Sequence, residues 1–234
     1  MPEWWSYSLS DFLLFSPRTY YRLIERHNLS VWPGHIASLG FGIVVLALLQ
    51  RKPGEHGRII AGILAVLWGW VAWAFLWKRY ATINWAIVYI LPLFSVQVLL
   101  LVWFGVMRDR LRFEASRTFP GVAGTALLAF SVAAYPALAP LLGRSWRQAE
   151  VFGITPDPTV IGTAGLLLLA EGRPRWELLA VPLVWCLISG LTLWAMSSPQ
   201  AIVLVGAALI TVITAIGSAW RQYAGQRVMV DDYR

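Results

Sequence analysis

Residues 83–107 read INWAIVYILPLFSVQVLLLVWFGVM, a stretch of 25 positions without Asp, Glu, Lys or Arg. As an α-helix it would extend about 37 Å, since each residue adds about 1.5 Å. The hydrocarbon core of a bilayer is about 30 Å thick, and a helix satisfies its own backbone hydrogen bonds there. The stretch therefore predicts a transmembrane helix, and we expect an integral membrane protein.

Six further apolar stretches extend the pattern. The seven stretches cover residues 31–50, 59–77, 83–107, 119–143, 158–170, 176–196 and 199–220, and Glu177 is the one charged residue inside them. Of the 234 residues 13% are charged, about half the share of a soluble domain. We predict an all-α fold, a bundle of seven transmembrane helices. The membrane domain spans 31–220, after an N-terminal interfacial segment (1–30) and before a tail (221–234).

An amphipathic helix is predicted before the first stretch, over residues 17–27. Ser16 followed by Pro17 is typical of a helix start, because the hydroxyl caps the helix and proline fits its first turn. Basic and apolar side chains fall on different faces, with Arg18, Arg22 and Arg26 on one and Tyr20, Leu23, Ile24 and His27 on another. This pattern indicates a helix in the headgroup plane or one packed on the end of the bundle.

The fifth stretch is too short to cross a bilayer as a helix. Its 13 residues give about 20 Å. The preceding Pro156-Asp157-Pro158 favours extended backbone followed by a helix start. Either a broken span begins near Val151, or the segment is re-entrant. In both cases we expect the fifth helix to be at least five residues shorter than the third.

The fifth segment also determines the topology. With seven crossings, one side of the membrane carries twelve basic residues: Arg51, Lys52, Arg58, Arg108, Arg110, Arg112, Arg117, Arg173, Arg175, Arg221, Arg227 and Arg234. The other side carries seven: Arg18, Arg22, Arg26, Lys78, Arg79, Arg144 and Arg147. The positive-inside rule then predicts a cytoplasmic C-terminus. A re-entrant fifth segment would reverse this prediction.

Five residues are candidates for lining a cavity or binding site: Asp157, Gln97, Tyr135, His35 and Asn84. Asp157 either caps the fifth helix by accepting backbone N–H bonds, or lines a cavity if this segment enters the membrane. Gln97 lies near the middle of its stretch, so its amide needs a partner, and Ser131 or Tyr135 could supply an interhelical bond. The alternative for Gln97 is a solute ligand. His35 is expected mainly as an interfacial residue.

No pattern typical of catalysis or metal binding occurs in the sequence. The three histidines, His27, His35 and His56, lie in separate segments, and the single cysteine, Cys186, lies in an apolar stretch. Phosphate-binding glycine loops and nucleophile elbows are absent from the sequence. We expect no enzymatic activity, no cofactor and no metal. The basic residues lie beside the ends of the stretches, so membrane lipids and not nucleic acid are the expected partners.

Five short motifs occur in an order that is typical of one bacterial membrane protein family. They are YSLSDF at 7–12, VWP at 31–33, TINW at 82–85, YP at 135–136 and FGITPDPT at 152–159. On these motifs the chain resembles the domain of unknown function 6064 family over nearly its whole length. Many members carry Pro-Cys-Pro at 156–158, so a thiol or metal role is not expected with Asp157. The resemblance implies a multi-span protein of the bacterial inner (plasma) membrane and no particular activity.

Two classes of function fit these observations. The first is a non-catalytic accessory or scaffold protein that binds lipid or another membrane protein, which the Trp-rich second stretch favours. The second is a permease or channel for a small neutral solute, lined by Asp157, Gln97 and Tyr135. A continuous polar cavity would favour the permease, whereas a tightly packed bundle with an exposed aromatic groove would favour the accessory protein.

Overall fold

The computed structural model describes residues 13–51 and 56–231, with side chains up to residue 224. Within these ranges the only β-structure is one isolated antiparallel bridge between Phe113 and Ala170, so the all-α prediction is confirmed there. The YSLSDF motif lies outside the described residues. The helices are α1 (Pro17–Val31), α2 (Gly34–Leu49), α3 (Gly57–Trp70), α4 (Leu91–Leu100), α5 (Phe119–Ala129), α6 (Leu138–Leu141), α7 (Pro156–Leu168), α8 (Trp176–Ala195) and α9 (Ala201–Asp231).

Three of these helices continue into wider, π-helical turns. α3 continues through Val71–Trp77, α4 through Leu101–Met107 and α5 through Phe130–Ala134. Short 3₁₀ turns complete the path at Tyr80–Thr82, Trp85–Tyr89, Tyr135–Ala137 and Trp146–Gln148. These changes of hydrogen-bond pattern let long apolar segments bend without leaving backbone groups unpaired.

Within the described residues, five helical segments are long and apolar enough to cross a bilayer. They are Gly57–Thr82, Trp85–Met107, Phe119–Leu141, Trp176–Ala195 and Ala201–Ala224. α2 has 16 residues and α7 has 13, which is short of a full span. α1 and α2 meet at 90° and would count as a sixth span only if taken together. Seven full-length spans are therefore not confirmed, because the first and fifth apolar stretches form shorter helices.

The prediction of a short fifth helix is confirmed. α7 has 13 residues, against 23 in the third apolar segment, Trp85–Met107. It begins at Pro156, as the prolines on both sides of Asp157 indicated.

The amphipathic N-terminal helix is also confirmed as a helix. Ser16 caps it by accepting a hydrogen bond from the Thr19 backbone N–H at 3.2 Å. Its apolar face packs on the end of the bundle, where Asn28 donates to the carbonyls of Arg147 and Ala149 at 2.9 and 2.8 Å. The 90° angle with α2 is the geometry expected of a helix parallel to the membrane surface, although its depth stays a prediction.

Backbone contacts show that α7 carries the chain from one end of the bundle towards the other. Residues 149–155, which precede it, contact α1 through the Asn28 bond to Ala149. Beyond α7, the Leu169 carbonyl accepts from Glu114 N–H at 2.9 Å, and Glu171 N–H donates to the Arg112 carbonyl at 2.8 Å. Residues 112–114 precede α5, which runs back to the end where α1 lies. This backbone path favours a broken crossing over a re-entrant fifth segment.

α7 lies at the centre of the bundle. Twelve of its thirteen residues are buried, and it packs against α3, α5, α8 and α9. Two glycines let the backbones of α7 and α5 lie close together, because a Cβ on Gly165 would lie 2.6 Å from the Gly124 carbonyl oxygen of α5. Small residues at such crossings let helix backbones pack closely in membranes. The side chains at the start of α7 are consequently surrounded by protein on all sides.

Candidate functional site

The backbone just before α7 is irregular and fully buried. Side-chain hydroxyls satisfy it, since Thr155 Oγ1 accepts from Val151 N–H at 3.0 Å and Thr159 Oγ1 accepts from Gly153 N–H at 2.7 Å. Gly153 has a φ of +74°, a conformation that glycine adopts without strain, and a Cβ there would collide with Ser38. Non-helical backbone at membrane depth requires such internal partners or water. Here the protein itself supplies them.

Asp157, in the first turn of α7, is fully buried and bound by side chains of α8. Its Oδ1 accepts from the Trp185 indole N–H at 2.8 Å, and the Ser189 hydroxyl lies 2.8 and 3.0 Å from its two oxygens. Trp185 is half-way along α8, so this carboxyl group lies at mid-depth of the bundle. Asp157 was expected to cap α7 by accepting backbone N–H bonds. That prediction is wrong, because the N-cap is Thr155 and the hydrogen-bond partners of Asp157 are side chains. Its place in the first turn still suits the helix dipole.

A second buried acid, Glu150, is linked to Asp157 through Tyr135 and Gln200. The Gln200 amide donates to the Tyr135 hydroxyl and to Glu150 Oε1, both at 2.8 Å. The Tyr135 hydroxyl also faces the Asp157 carboxyl group. Arg144 completes the series by donating to Gln200 Oε1 at 2.5 Å. We refer to Asp157, Ser189, Trp185, Tyr135, Gln200, Glu150 and Arg144 as the buried polar cluster.

The electrostatics of this cluster favour a protonated Glu150. Burial raises the pKa of Glu150, and the nearby Asp157 raises it further, while the Gln200 bond and Arg144 act in the opposite direction. The cluster contains the two acids, Glu150 and Asp157, and one cationic group, the guanidinium of Arg144. That guanidinium also lies over the Tyr21 ring, 4.1 Å from its centroid. The cluster can therefore be neutral overall, as a low-dielectric interior requires.

Comparison with known proteins identifies the chain at the level of the family. The model of the family of unknown function DUF6064 matches residues 18–226. The chain belongs to this family. The match includes four of the five motifs and both buried acids. No curated protein and no solved structure matches the chain. The family assigns no activity, so a function has to be argued from the site.

Of the five candidate residues predicted for a site, only two come together. Asp157 and Tyr135 belong to the buried polar cluster. Asn84 instead caps a 3₁₀ turn by accepting from Ala86 N–H at 3.1 Å, and His35 Nε2 lies 3.2 Å from Asn28 Oδ1 near α1. Both have local structural partners.

Gln97 is fully buried but lacks the partner that was expected. Ser131 donates to the Leu128 carbonyl at 2.8 Å, and Tyr135 is bound to Gln200. Within the part of the chain that the structure describes, neither amide atom of Gln97 has a hydrogen-bond partner. The predicted interhelical bond is therefore wrong. Phe94, one turn earlier, packs edge-on against Trp185 with ring centroids 5.0 Å apart, so Gln97 lies near the buried polar cluster without joining it.

Sequence reasoning missed most partners of Asp157. Arg144 and Glu150 lie between apolar stretches, and Gln200 lies at the very start of the seventh, where polar residues normally contact water or headgroups. Trp185 and Ser189 lie four residues apart on one face of α8, and that spacing was the one available signal. It becomes meaningful only once α8 is known to contact α7.

The large cavities lie on the outside of the bundle. One is an aromatic groove of about 600 Å³ between α3 and α4, lined by Gly69, Ala72, Trp73, Trp77, Leu91, Ser95, Val98 and Leu99. Half of the surface of Trp73 and 55% of that of Trp77 is exposed. Lys78 lies over the Trp73 ring, 4.1 Å from its centroid, at the end of the groove near α1. Aromatic and basic residues of this kind are typical of the membrane–water interface.

Proposed function

We propose that this chain is a non-catalytic accessory protein of the bacterial inner membrane that binds lipid on its outer surface. The observation that carries the proposal is the contrast between a closely packed, sealed interior and the open aromatic groove between α3 and α4. Asp157 is bound by the protein's own side chains, and Glu150 is fully buried against Gln200. The groove at Trp73 and Trp77 instead faces the lipid and is large enough for an acyl chain.

The proposal includes seven crossings and a cytoplasmic C-terminus. α7 is short, but together with residues 149–155 it connects the two ends of the bundle, which supports counting the fifth stretch as a crossing. The first stretch is counted as a crossing on its length of 20 residues, 31–50. Arg173 and Arg175 then remain with the larger basic group, twelve residues against seven. The positive-inside rule favours that side as the cytoplasm. α1 would consequently lie on the periplasmic face.

A permease for a small neutral solute remains the second candidate, because two observations favour it. α7 is a half-length helix that starts at mid-depth, as in the broken helices of many transporters. Gln97 lies nearby with an unpaired amide, which could bind a polar solute. The cavities at the surface of the described residues are not lined by Asp157, Gln97 or Tyr135. The accessory protein therefore has the stronger support.

Lipid retention by the purified full-length protein tests the proposal. The double variant Trp73→Leu, Trp77→Leu should lose lipid that the wild type keeps in native mass spectra. The control is Trp194→Leu, Trp220→Leu, since these residues are 64% and 74% exposed and lie on other helices. Equal retention by both double variants and the wild type would contradict the proposal. Proteoliposomes that take up glycerol or urea faster than empty liposomes would favour the permease.

A further inference from the structure

A second outer cavity, next to α1, is lined by arginines and has no acidic lining residue. It encloses about 340 Å³ between α1 and the turn after α3, and is lined by Arg18, Thr19, Arg22, Leu23, Arg26, Arg79, Thr82 and Ile83. The three arginines of α1 recur at every fourth residue and therefore project from one face of the helix. Arg79 reaches the same cavity from the other element. We refer to this cavity as the arginine pocket.

The guanidinium groups of the pocket have no acidic partner in the part of the chain that the structure describes. Among the described residues, no salt bridge or side-chain hydrogen bond involves Arg18, Arg22, Arg26 or Arg79. The acid of α1, Glu25, is bound elsewhere, because its Oε2 accepts from the Gln148 amide at 3.1 Å. Four positive charges around one small cavity repel each other unless an anion lies between them.

The other polar groups of the pocket are already engaged, so the arginines determine its chemistry. The Thr82 hydroxyl donates to the Arg79 carbonyl at 2.7 Å, and the Thr19 hydroxyl pairs with Ser16 at 2.9 Å. Leu23 and Ile83 supply an apolar wall. Guanidinium groups bind phosphate oxygens through paired N–H bonds, which suits an anion with several oxygens.

The pocket lies at the level expected for lipid headgroups. α1 meets α2 at 90°, and the pocket's Arg79 follows the exposed Trp77 by two residues. Interfacial tryptophans mark the boundary between hydrocarbon and headgroups. A basic pocket at this depth is at the level of the phospholipid phosphates in whichever leaflet it lies.

We propose that the arginine pocket binds the phosphate group of an anionic phospholipid. The inference deepens the proposed lipid-binding function by naming the lipid class, and it rests on that function. The phosphate would be bound on one side by the α1 arginines, Arg18, Arg22 and Arg26. Arg79 would bind it from the opposite side of the pocket. Binding would thereby tie α1 to the end of the second apolar segment.

The test compares phosphatidylglycerol with phosphatidylcholine of the same acyl chains, titrated into the full-length protein in an uncharged detergent. Native mass spectra should show about tenfold tighter binding of phosphatidylglycerol, because both lipids carry the phosphate but phosphatidylcholine also brings a quaternary ammonium that the arginines repel. Arg22→Gln, Arg79→Gln should abolish this preference. The matched control, Arg51→Gln, Arg117→Gln, removes two exposed arginines from the opposite end of the bundle and should keep it.

The possible outcomes separate this inference from the proposed function. Equal binding of both lipids by the wild type would overturn the arginine pocket while leaving lipid binding in place. Loss of preference in both double variants would also overturn it, because net charge alone would then explain the effect. Displacement of phosphatidylglycerol by an equal concentration of inorganic phosphate would identify a free anion as the ligand and contradict a lipid. Thermal unfolding of each variant without added lipid verifies that the fold is intact.

Discussion

Replacing Asp157 by alanine should destabilise the bundle much more than replacing it by asparagine. Alanine removes both acceptor oxygens, so the Trp185 indole N–H and the Ser189 hydroxyl lose a partner at mid-depth of the bundle. Asparagine keeps one oxygen for Trp185, and the Ser189 hydroxyl can turn to accept from the new amide. The two variants thus differ mainly in the number of buried donors left unpaired.

The loss of stability depends on the two donors that alanine leaves without a partner. An orphaned buried donor costs about 1–3 kcal/mol, which gives about 2–6 kcal/mol for the two donors. Interhelical bonds in membranes average about 0.6 kcal/mol, because the unfolded chain in the membrane also finds partners. We therefore expect the lower end, about 2–3 kcal/mol for Asp157→Ala and below about 1 kcal/mol for Asp157→Asn.

Unfolding in mixed micelles with increasing dodecyl sulfate would measure these free energies. Asp109→Asn is the control for loss of a carboxylate, since Asp109 only forms a surface salt bridge with Arg58 at 3.3 Å and should cost at most about 1 kcal/mol. Asparagine also tolerates the positive φ of Asp109.

A double-mutant cycle with Trp185→Phe decides whether the α8 contacts are responsible. If they are, Trp185→Phe should be destabilising alone and nearly neutral in the Asp157→Ala background. Additive effects of the two substitutions, within about 0.5 kcal/mol, would refute the reasoning. Asp157 would then stabilise only its own helix, α7.

Two further predictions concern packing and topology. Gly165→Ala should destabilise the protein, because the new Cβ would lie 2.6 Å from the Gly124 carbonyl oxygen. Gly206→Ala is the control, since its Cβ has open space and should stabilise the helix by about 1 kcal/mol. Equal effects of the two substitutions on thermal unfolding would contradict the close α5–α7 contact. C-terminal fusions should give fluorescent GFP and inactive alkaline phosphatase, and the opposite pattern would overturn a cytoplasmic C-terminus.

The sequence was sufficient to predict the helical architecture and its principal irregularity. Long uncharged stretches have few alternatives to helices in a membrane, so five spanning segments follow from hydropathy alone. Pro156-Asp157-Pro158 predicted where α7 begins, because proline fits the first turn of a helix and disfavours helical backbone before it. Ser16 and Pro17 predicted the start of α1 for the same kind of local reason.

The partners of the buried polar residues could not be predicted in this way. α7 has no distinct polar face, because Asp157, Thr159 and Thr163 are spread among apolar residues, so the sequence pattern does not show which helix faces Asp157. The bond expected from Gln97 to Ser131 or Tyr135 was wrong because Tyr135 is bound by Gln200, from the distant start of α9. Glu150 resembled an ordinary loop residue, since its burial depends on α1 and α9 covering the loop.

We propose that the interior is sealed and that function lies on the lipid-facing surface. Cys186, the single cysteine of the sequence, tests this claim directly because it is 2% exposed and follows Trp185 in α8. A small charged thiosulfonate reagent should leave Cys186 unmodified in membrane fragments that are open on both sides and modify it fully after unfolding in dodecyl sulfate, as measured by mass. Cys186→Ala with Arg117→Cys, at an exposed end, should react rapidly in membranes as the positive control. Modification of native Cys186 at a comparable rate would reveal a water-filled path to Asp157, contradict the sealed interior and favour the permease.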